Sequence, residues 1–149
     1  MHLIIRRLTA TDREPARQLF ALLARIFAEP QRPLSDEYLD HLLGRADFWA
    51  LAAFADGRLA GGLTAHTLAL TREEGAEIFI YDVAVDPAVQ RRGVGRALID
   101  ALLREAAALN IDVAFVPADN DDRHALDFYR ALGGIPASVT IFTFESGID

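Results

Sequence analysis

Gln90-Arg91-Arg92-Gly93-Val94-Gly95, followed by Arg96, is the stretch whose residue types are best suited to holding an anion. A glycine-containing turn that feeds a helix leaves several backbone N–H groups unpaired in one concave patch, which suits the oxygens of a phosphate or pyrophosphate. Gly93 and Gly95 carry no Cβ, so a ligand can approach the backbone closely. Arg91, Arg92 and Arg96 gather positive charge around this turn, in a chain whose formal net charge is -7. Spacing then excludes one common phosphate loop and weakens another. A nucleoside-triphosphate loop needs a Lys directly after its second glycine, and none follows either glycine. A dinucleotide fingerprint needs a third glycine where Ala97 or Leu98 stands.

What remains is Gln/Arg-x-x-Gly-x-Gly after a strand-like segment ending Val83-Ala84-Val85 and then Asp86-Pro87. That combination resembles the acetyl-coenzyme A loop of the GCN5-related N-acetyltransferase (GNAT) superfamily. Ala125-Leu126-Asp127-Phe128-Tyr129-Arg130-Ala131-Leu132-Gly133 is similar to that family's later helix, with its Tyr and Leu-Gly ending. Three further stretches resemble the aminoglycoside 3-N-acetyltransferases: Phe48-Trp49-Ala50-Leu51-Ala52-Ala53-Phe54, Glu77-Ile78-Phe79-Ile80-Tyr81-Asp82-Val83-Ala84-Val85, and the acidic Ala118-Asp119-Asn120-Asp121-Asp122. The likeness covers nearly the whole chain. It implies a GNAT fold, with a mixed, mostly antiparallel central sheet and helices on both faces. It also implies acetyl-CoA as co-substrate and direct acetyl transfer to an amine without an acyl-enzyme.

Acyl transfer from a thioester to an amine needs a bound donor, a neutral amine, a hydrogen-bond donor for the developing oxyanion, and a proton for the leaving thiolate. By resemblance, residues 90–96 hold the pyrophosphate. The backbone of Val83, Ala84 and Val85 lies along the pantetheine arm, with the Val83 N–H toward the thioester oxygen. That requires the neighbouring strand to diverge, which the family's splayed sheet supplies. Tyr129 matches the family tyrosine that protonates the thiolate; without the motif, a ring packed beside Phe128 is the plainer account. Asp82 is the first choice as general base and Glu77 the second, with bulk water as the alternative to both. On a regular strand these two carboxylates have opposite parity and face opposite ways unless a bulge intervenes.

The acceptor is expected to be a polycationic small amine, because Asp119, Asp121 and Asp122 cluster after a strand and before the Tyr129 helix. A solvated acidic loop that favours the helix N-terminus is the alternative, and Asp122 suits a cap. A calcium loop is excluded on spacing. Glu29 and Glu145 join the acceptor side only by the subgroup resemblance and by position. The resemblance points to the 3-amino group of an aminoglycoside, as in antibiotic resistance. A polyamine or other small amine is the alternative acceptor, and a degenerate module that senses coenzyme A is the alternative class. Family members often form dimers, which extends to an expected homodimer.

These groups need elements to carry them. Residues 3–8 read as a strand, and Thr11-x-x-Glu14 has the form of a capping box before a helix whose Leu19, Phe20, Leu23, Ile26 and Phe27 share one apolar face. Pro30 and Pro33 break that helix, Ser35 caps a second carrying Tyr38, Leu39, Leu42 and Leu43, and Gly44 ends it. Residues 48–55 and 58–70 form strands joined through Asp56-Gly57, a two-residue hairpin signal. Residues 76–85 form the next strand. Val94, Ala97, Leu98, Ala101, Leu102, Ala108 and Leu109 trace one face of a helix after the loop. Residues 112–116 read as a buried strand, 124–132 as a short helix ended by Gly133-Gly134, and 139–144 as a final strand.

At 149 residues and 52% hydrophobic, the whole chain (1–149) is expected to be a single domain able to bury a core. It has no cysteine, which removes disulfides, thiolate metal sites and a cysteine nucleophile. No signal-peptide order and no bilayer-length apolar run appear, so a cytoplasmic protein is expected, without a membrane. The acidic balance argues against nucleic acid and suits a cationic partner. His2, His41, His66 and His124 have no metal-ligand spacing, so no metal is expected, and surface or packing roles are the simpler account. Trp49 reads as core. No hydrolase motif appears.

Overall fold

The structure, a computed structural model, describes residues 1–147. Its residues group into two compact units, Met1–Pro117 and Ala118–Asp149.

The first unit is built on a five-stranded sheet in the order β1-β2-β3-β4-β5: β1 Leu3–Arg7, β2 Phe48–Ala55, β3 Arg58–Ala69, β4 Ala76–Val85 and β5 Ala114–Phe115. The first three pairings are antiparallel and the last is parallel, which is the mixed, mostly antiparallel sheet expected. Asp56 and Gly57 both take positive φ, 51° and 84°, as a tight two-residue hairpin turn requires. Helix α1 (Arg13–Ile26) and helix α2 (Asp36–Leu43) cover one sheet face, where Leu19, Leu23, Leu39 and Leu43 pack with Phe48, Ala50, Ala52 and Ala84. Helix α3 (Val94–Ala108) covers the other, burying Val94, Leu98, Ile99, Ala101, Leu102 and Ala106. Alternation along the strands gives that second face Trp49, Leu51, Leu63, Ala65, Ile78 and Ile80. Close approach on the first face depends on Gly62: a Cβ there would strike the Leu19 methyls and lie 2.6 Å from the Leu51 carbonyl oxygen.

Ser35 caps α2 as its sequence position implies, its side chain accepting from the Tyr38 N–H, and Gly44 ends that helix. The guanidinium of Arg13 makes a two-pronged contact with the Asp40 carboxylate (2.7 and 2.6 Å), and Arg17 pairs with Asp36, tying α1 to α2. Trp49 is core, with its indole N–H donating to the Thr67 hydroxyl at 2.8 Å.

Several sequence expectations need correction. The capping box at Thr11 does not form: Asp12 is the N-cap of α1, and its carboxylate turns back to accept from the Thr9 N–H at 2.7 Å. Phe27 is not core; α1 stops one residue earlier and Phe27 is 47% exposed. On α3, Ala108 and Leu109 are exposed, and Ile99 and Ala106 take the buried places. The strand expected at 112–116 shrinks to Ala114–Phe115 and is not buried, since Val113 and Phe115 lie exposed.

In the second unit, helix α4 spans Arg123–Ala131 and is capped by Asp122, whose carboxylate accepts from the Ala125 N–H at 3.1 Å. Gly133 closes it with φ 91°, a conformation that suits glycine. Residues 139–144 form no strand and their apolar side chains are exposed. Their composition suits a strand, but a strand exists only through ladder hydrogen bonds to a partner, and these residues make none among the described residues.

Candidate active site

The turn expected to hold an anion leads directly into α3. After β4, Asp86 caps a short 3-10 turn (Pro87–Val89), and the Gln90 amide donates back to the Val85 carbonyl at 3.2 Å. Arg91 and Gly93 both adopt positive φ, 64° and 83°, which curls the chain tightly into α3. Gly93 is the helix N-cap and no side chain fills the cap position, so the first-turn amides present themselves without a side-chain acceptor. Arg91 and Arg92 are exposed and form no ion pair among the described residues. An uncapped helix start flanked by two such cations is an electrostatic environment that favours an anion.

The neighbouring stretch of β4 is open along one edge. Pairing with β5 is confined to Ile78 opposite Ala114 and Phe79 opposite Phe115. From Ile80 to Val85 only β3 pairs with β4 among the described residues. The Asp86 N–H donates to the Ala60 carbonyl on β3 at 2.7 Å, and the antiparallel alternation then directs the N–H groups of Val83 and Val85 to the opposite, open edge. This is the divergence that a pantetheine arm lying along Val83, Ala84 and Val85 would need.

A β-bulge decides where the two candidate carboxylates point. Thr64 pairs with Asp82 and Ala65 with Ile80, which leaves Tyr81 as the extra residue of β4. The slip reverses the parity, so Glu77, opposite Leu68, and Asp82, opposite Thr64, end on the same sheet face. The opposite parity of a regular strand therefore does not apply. Only Asp82 of the two reaches the cavity on that face, which measures about 680 Å³. Phe20, Leu23, Ala24, Phe27, Leu34, Leu42 and Phe48 give it an apolar wall, Tyr38, Tyr81 and His66 add polar rings, and Thr64, Glu29 and Asp82 complete it. The ring of His66 lies between Phe48 and Tyr81, with centroids 5.4 and 6.2 Å away.

Asp82 is half-buried, and its carboxyl is pushed above its ordinary value of 3.8, first by burial and then by the negative charge of Glu29. Glu29, named in sequence only by subgroup likeness, therefore belongs with Asp82. Sequence reasoning passed over Thr64, His66, Tyr38 and Tyr81, which become neighbours only through tertiary packing.

In the second unit, the Asp119 carboxylate accepts from the Asp121 N–H at 2.9 Å and Asp122 caps α4, so two of the three clustered carboxylates have local hydrogen-bonding roles. Tyr129 lies on α4 with its ring 5.0 Å from that of Phe128. Glu145 lies in the irregular segment that follows.

A helix start without a side-chain cap, beside a strand left unpaired along one edge, is the arrangement that the resemblance to an acetyl-CoA loop implies. The Acetyltransferase (GNAT) family model matches residues 13–133, and the chain belongs to that family. Among solved structures, the chain is similar to an aminoglycoside acetyltransferase, HMB0005, from an uncultured soil metagenomic sample, with 32% identity, TM-score 0.93, and 99% and 100% of the two chains covered. It is also similar to a second such enzyme, meta-AAC0020, solved in complexes with trehalose and with sisomicin; for the trehalose complex, identity is 33%, TM-score 0.91, and coverage 96% and 95%. A curated relative is the uncharacterized N-acetyltransferase YvbK of Bacillus subtilis, 29% identical over 116 residues, 78% of this chain. The match spans 66% of YvbK, and smaller shares of the other curated relatives it matches. No described helix is long and apolar enough to cross a membrane.

Proposed function

We propose that the protein is an acetyl-CoA-dependent N-acetyltransferase acting on a polycationic small amine, with aminoglycosides as the acceptor class and the 3-amino group as the position modified. The observation that carries this reading is the junction at Tyr81–Val83. There one strand turns a carboxylate, Asp82, into a cavity, and turns the next residue's N–H to an open edge beside the phosphate turn. Amine and acyl donor can thus be held on two sides of one backbone segment. The aminoglycoside acceptor is supported by the two soil enzymes at 32% and 33% identity. The choice of the 3-amino group rests on the resemblance of residues 48–54, 77–85 and 118–122.

In this reading residues 90–96 hold the pyrophosphate through backbone amides and Arg91, Arg92 and Arg96. The co-substrate supplies a thioester whose C–S bond breaks as a new N–C bond forms to the amine. The Val83 N–H donates to the carbonyl oxygen as negative charge gathers on it. Asp82 takes the proton from the attacking nitrogen, and its raised basicity brings it closer to the working pH of a general base. Glu77 remains on the same sheet face as the second choice. Tyr129 donates the proton that the departing thiolate needs, since a phenol and a thiol are of roughly similar acidity. Glu29 and Asp82, with Asp119, Asp121 and Asp122, attract ammonium groups. We assign the chain as one functional domain and, by analogy, a cytoplasmic homodimer.

A polyamine is the second reading, favoured by a cavity wall in which Phe20, Leu23 and Leu42 suit methylenes while Glu29 and Asp82 suit ammonium groups. Thiol release measured with panels of aminoglycosides and polyamines, followed by NMR location of the modified nitrogen, separates these acceptors. Calorimetric binding of acetyl-CoA without thiol release from any amine would instead make the protein a coenzyme A sensor. Tyr129→Phe should leave coenzyme binding intact and lower turnover by about 10²-fold, the lower range for a positioned acid. An unchanged rate at saturating substrates would remove Tyr129 from the chemistry.

A further inference from the structure

Thr64 is a polar side chain among the buried residues, 7% exposed, on the sheet face that carries the cavity. Its hydroxyl has no hydrogen-bond partner among the described residues. No side-chain polar atom there is both sealed from solvent and unbonded, so this hydroxyl opens onto the cavity it lines. An unpartnered hydroxyl that faces a cavity is free to donate to, or accept from, a ligand's polar group. Its cross-strand partner is Asp82, directly opposite on β3 and β4 at the edge of the bulge. Directly opposed residues of an antiparallel pair hold their Cβ atoms within about 5.5 Å of each other, so hydroxyl and carboxylate can serve one small group between them.

We propose that Thr64 is a specificity-determining residue that, together with Asp82, holds the reacting nitrogen as a primary amine. The assignment rests on the N-acetyltransferase reading. A neutral primary amine has two N–H bonds and one lone pair. With one N–H donated to the Thr64 hydroxyl and the other to the Asp82 carboxylate, both hydrogens are fixed and the lone pair is left to point away from both acceptors. Asp82 then accepts its proton as positive charge builds on nitrogen. A secondary N-methyl amine has a single N–H and leaves one of the two acceptors unpaired, so the pair selects primary amines. Phe48 and Leu42 supply no acceptor, and the other polar side chains of the cavity are Glu29, His66, Tyr38 and Tyr81.

The test compares Thr64→Val, nearly the same shape without the hydroxyl, with Thr64→Ser, which keeps it. Each is assayed with a primary-amine acceptor and its N-methyl counterpart. Thr64→Val is expected to lower kcat/KM for the primary amine by about ten-fold, the worth of one buried hydrogen bond, with the KM for acetyl-CoA unchanged. Its preference for the primary over the N-methyl amine should fall by a similar factor, while Thr64→Ser keeps both rate and preference. A merely structural role would lower the melting temperature and leave the preference untouched. Wild-type preference retained in Thr64→Val overturns the assignment while the N-acetyltransferase reading stands. Loss of preference in Thr64→Ser as well as in Thr64→Val overturns it too. A wild-type protein that acetylates no amine overturns both.

Discussion

The two faces of the sheet in the first unit are built from the same strands and end differently. Toward α3, Trp49, Leu51, Leu63, Ala65, Ile78 and Ile80 meet Val94, Leu98 and Leu102, and every one of these side chains is buried. Toward α1 and α2 the packing is as tight at one end, where Gly62 admits Leu19 against the backbone, but opens at the other. There the rings of Phe48, His66 and Tyr81 and the break in α1 before Pro30 leave a cavity holding the polar groups Thr64, Asp82 and Glu29. One face is therefore closed packing, and the other holds polar groups, one of them the half-buried Asp82, in an open cavity. Substitutions on the two faces should separate stability from rate.

The largest effect is expected on the closed face. Leu98 is fully buried, and Leu98→Ala removes its side chain from a packed layer, which should lower unfolding stability by about 3 kcal/mol in denaturant titration. Below its melting temperature kcat/KM should match the parent, because Leu98 does not line the cavity. A rate loss in the folded variant would mean that the two faces are coupled.

Asp82→Asn is the converse on the open face. It should lower kcat/KM by about 100-fold, within the range for loss of a positioned base, and should not lower stability. The sign follows from the raised pKa. The folded state holds the Asp82 proton more tightly than the unfolded chain does. Stability therefore falls as pH climbs from the ordinary value of 3.8 through the folded value, and stays reduced above it. Replacing the carboxylate removes that penalty at neutral pH and changes nothing at lower pH, where both side chains are uncharged. Melting curves at the two pH values test this: a variant less stable than the parent at neutral pH contradicts it. A pH profile of kcat/KM that matches the parent would remove Asp82 as base.

How far these two faces could be read from sequence depends on how local their causes are. The Asp56-Gly57 hairpin, the Ser35 cap, the break after β4 and the turn into α3 are set by a few adjacent residues, and they stand where the residue types put them. Family membership is legible for the same reason, since the residues that carry the resemblance lie close together in sequence. The bulge at Tyr81 carries no glycine or other signal, so the shared orientation of Glu77 and Asp82 was not legible. Nor was the cavity, whose residues come from α1, α2, the segment between them and three strands. His66 looked like any isolated histidine until β2 and β4 brought Phe48 and Tyr81 beside it. Residues 139–144 failed the other way: their pattern suits a strand, yet local propensity supplies no partner.

The smallest effect concerns Glu29 and sharpens the account of the open face. Burial is the main reason the Asp82 carboxyl is raised, and the Glu29 charge adds to it. Glu29→Gln should therefore leave Asp82 raised by burial alone, and move the acid limb of the kcat/KM profile to lower pH without abolishing it. The other titratable side chains facing this cavity are His66, Tyr38 and Tyr81. His66→Gln is the control, since a shift caused by the imidazole would follow that substitution. At pH values above the limb, the loss of one carboxylate should raise the KM for a polycationic acceptor by less than about ten-fold, the scale of a partly solvated ion pair, and the rise should shrink in added salt. A limb that stays fixed in Glu29→Gln would make desolvation the sole cause of the raised carboxyl. The closed wall of Phe20, Leu23 and Phe48, and not a second charge, would then be what tunes the base.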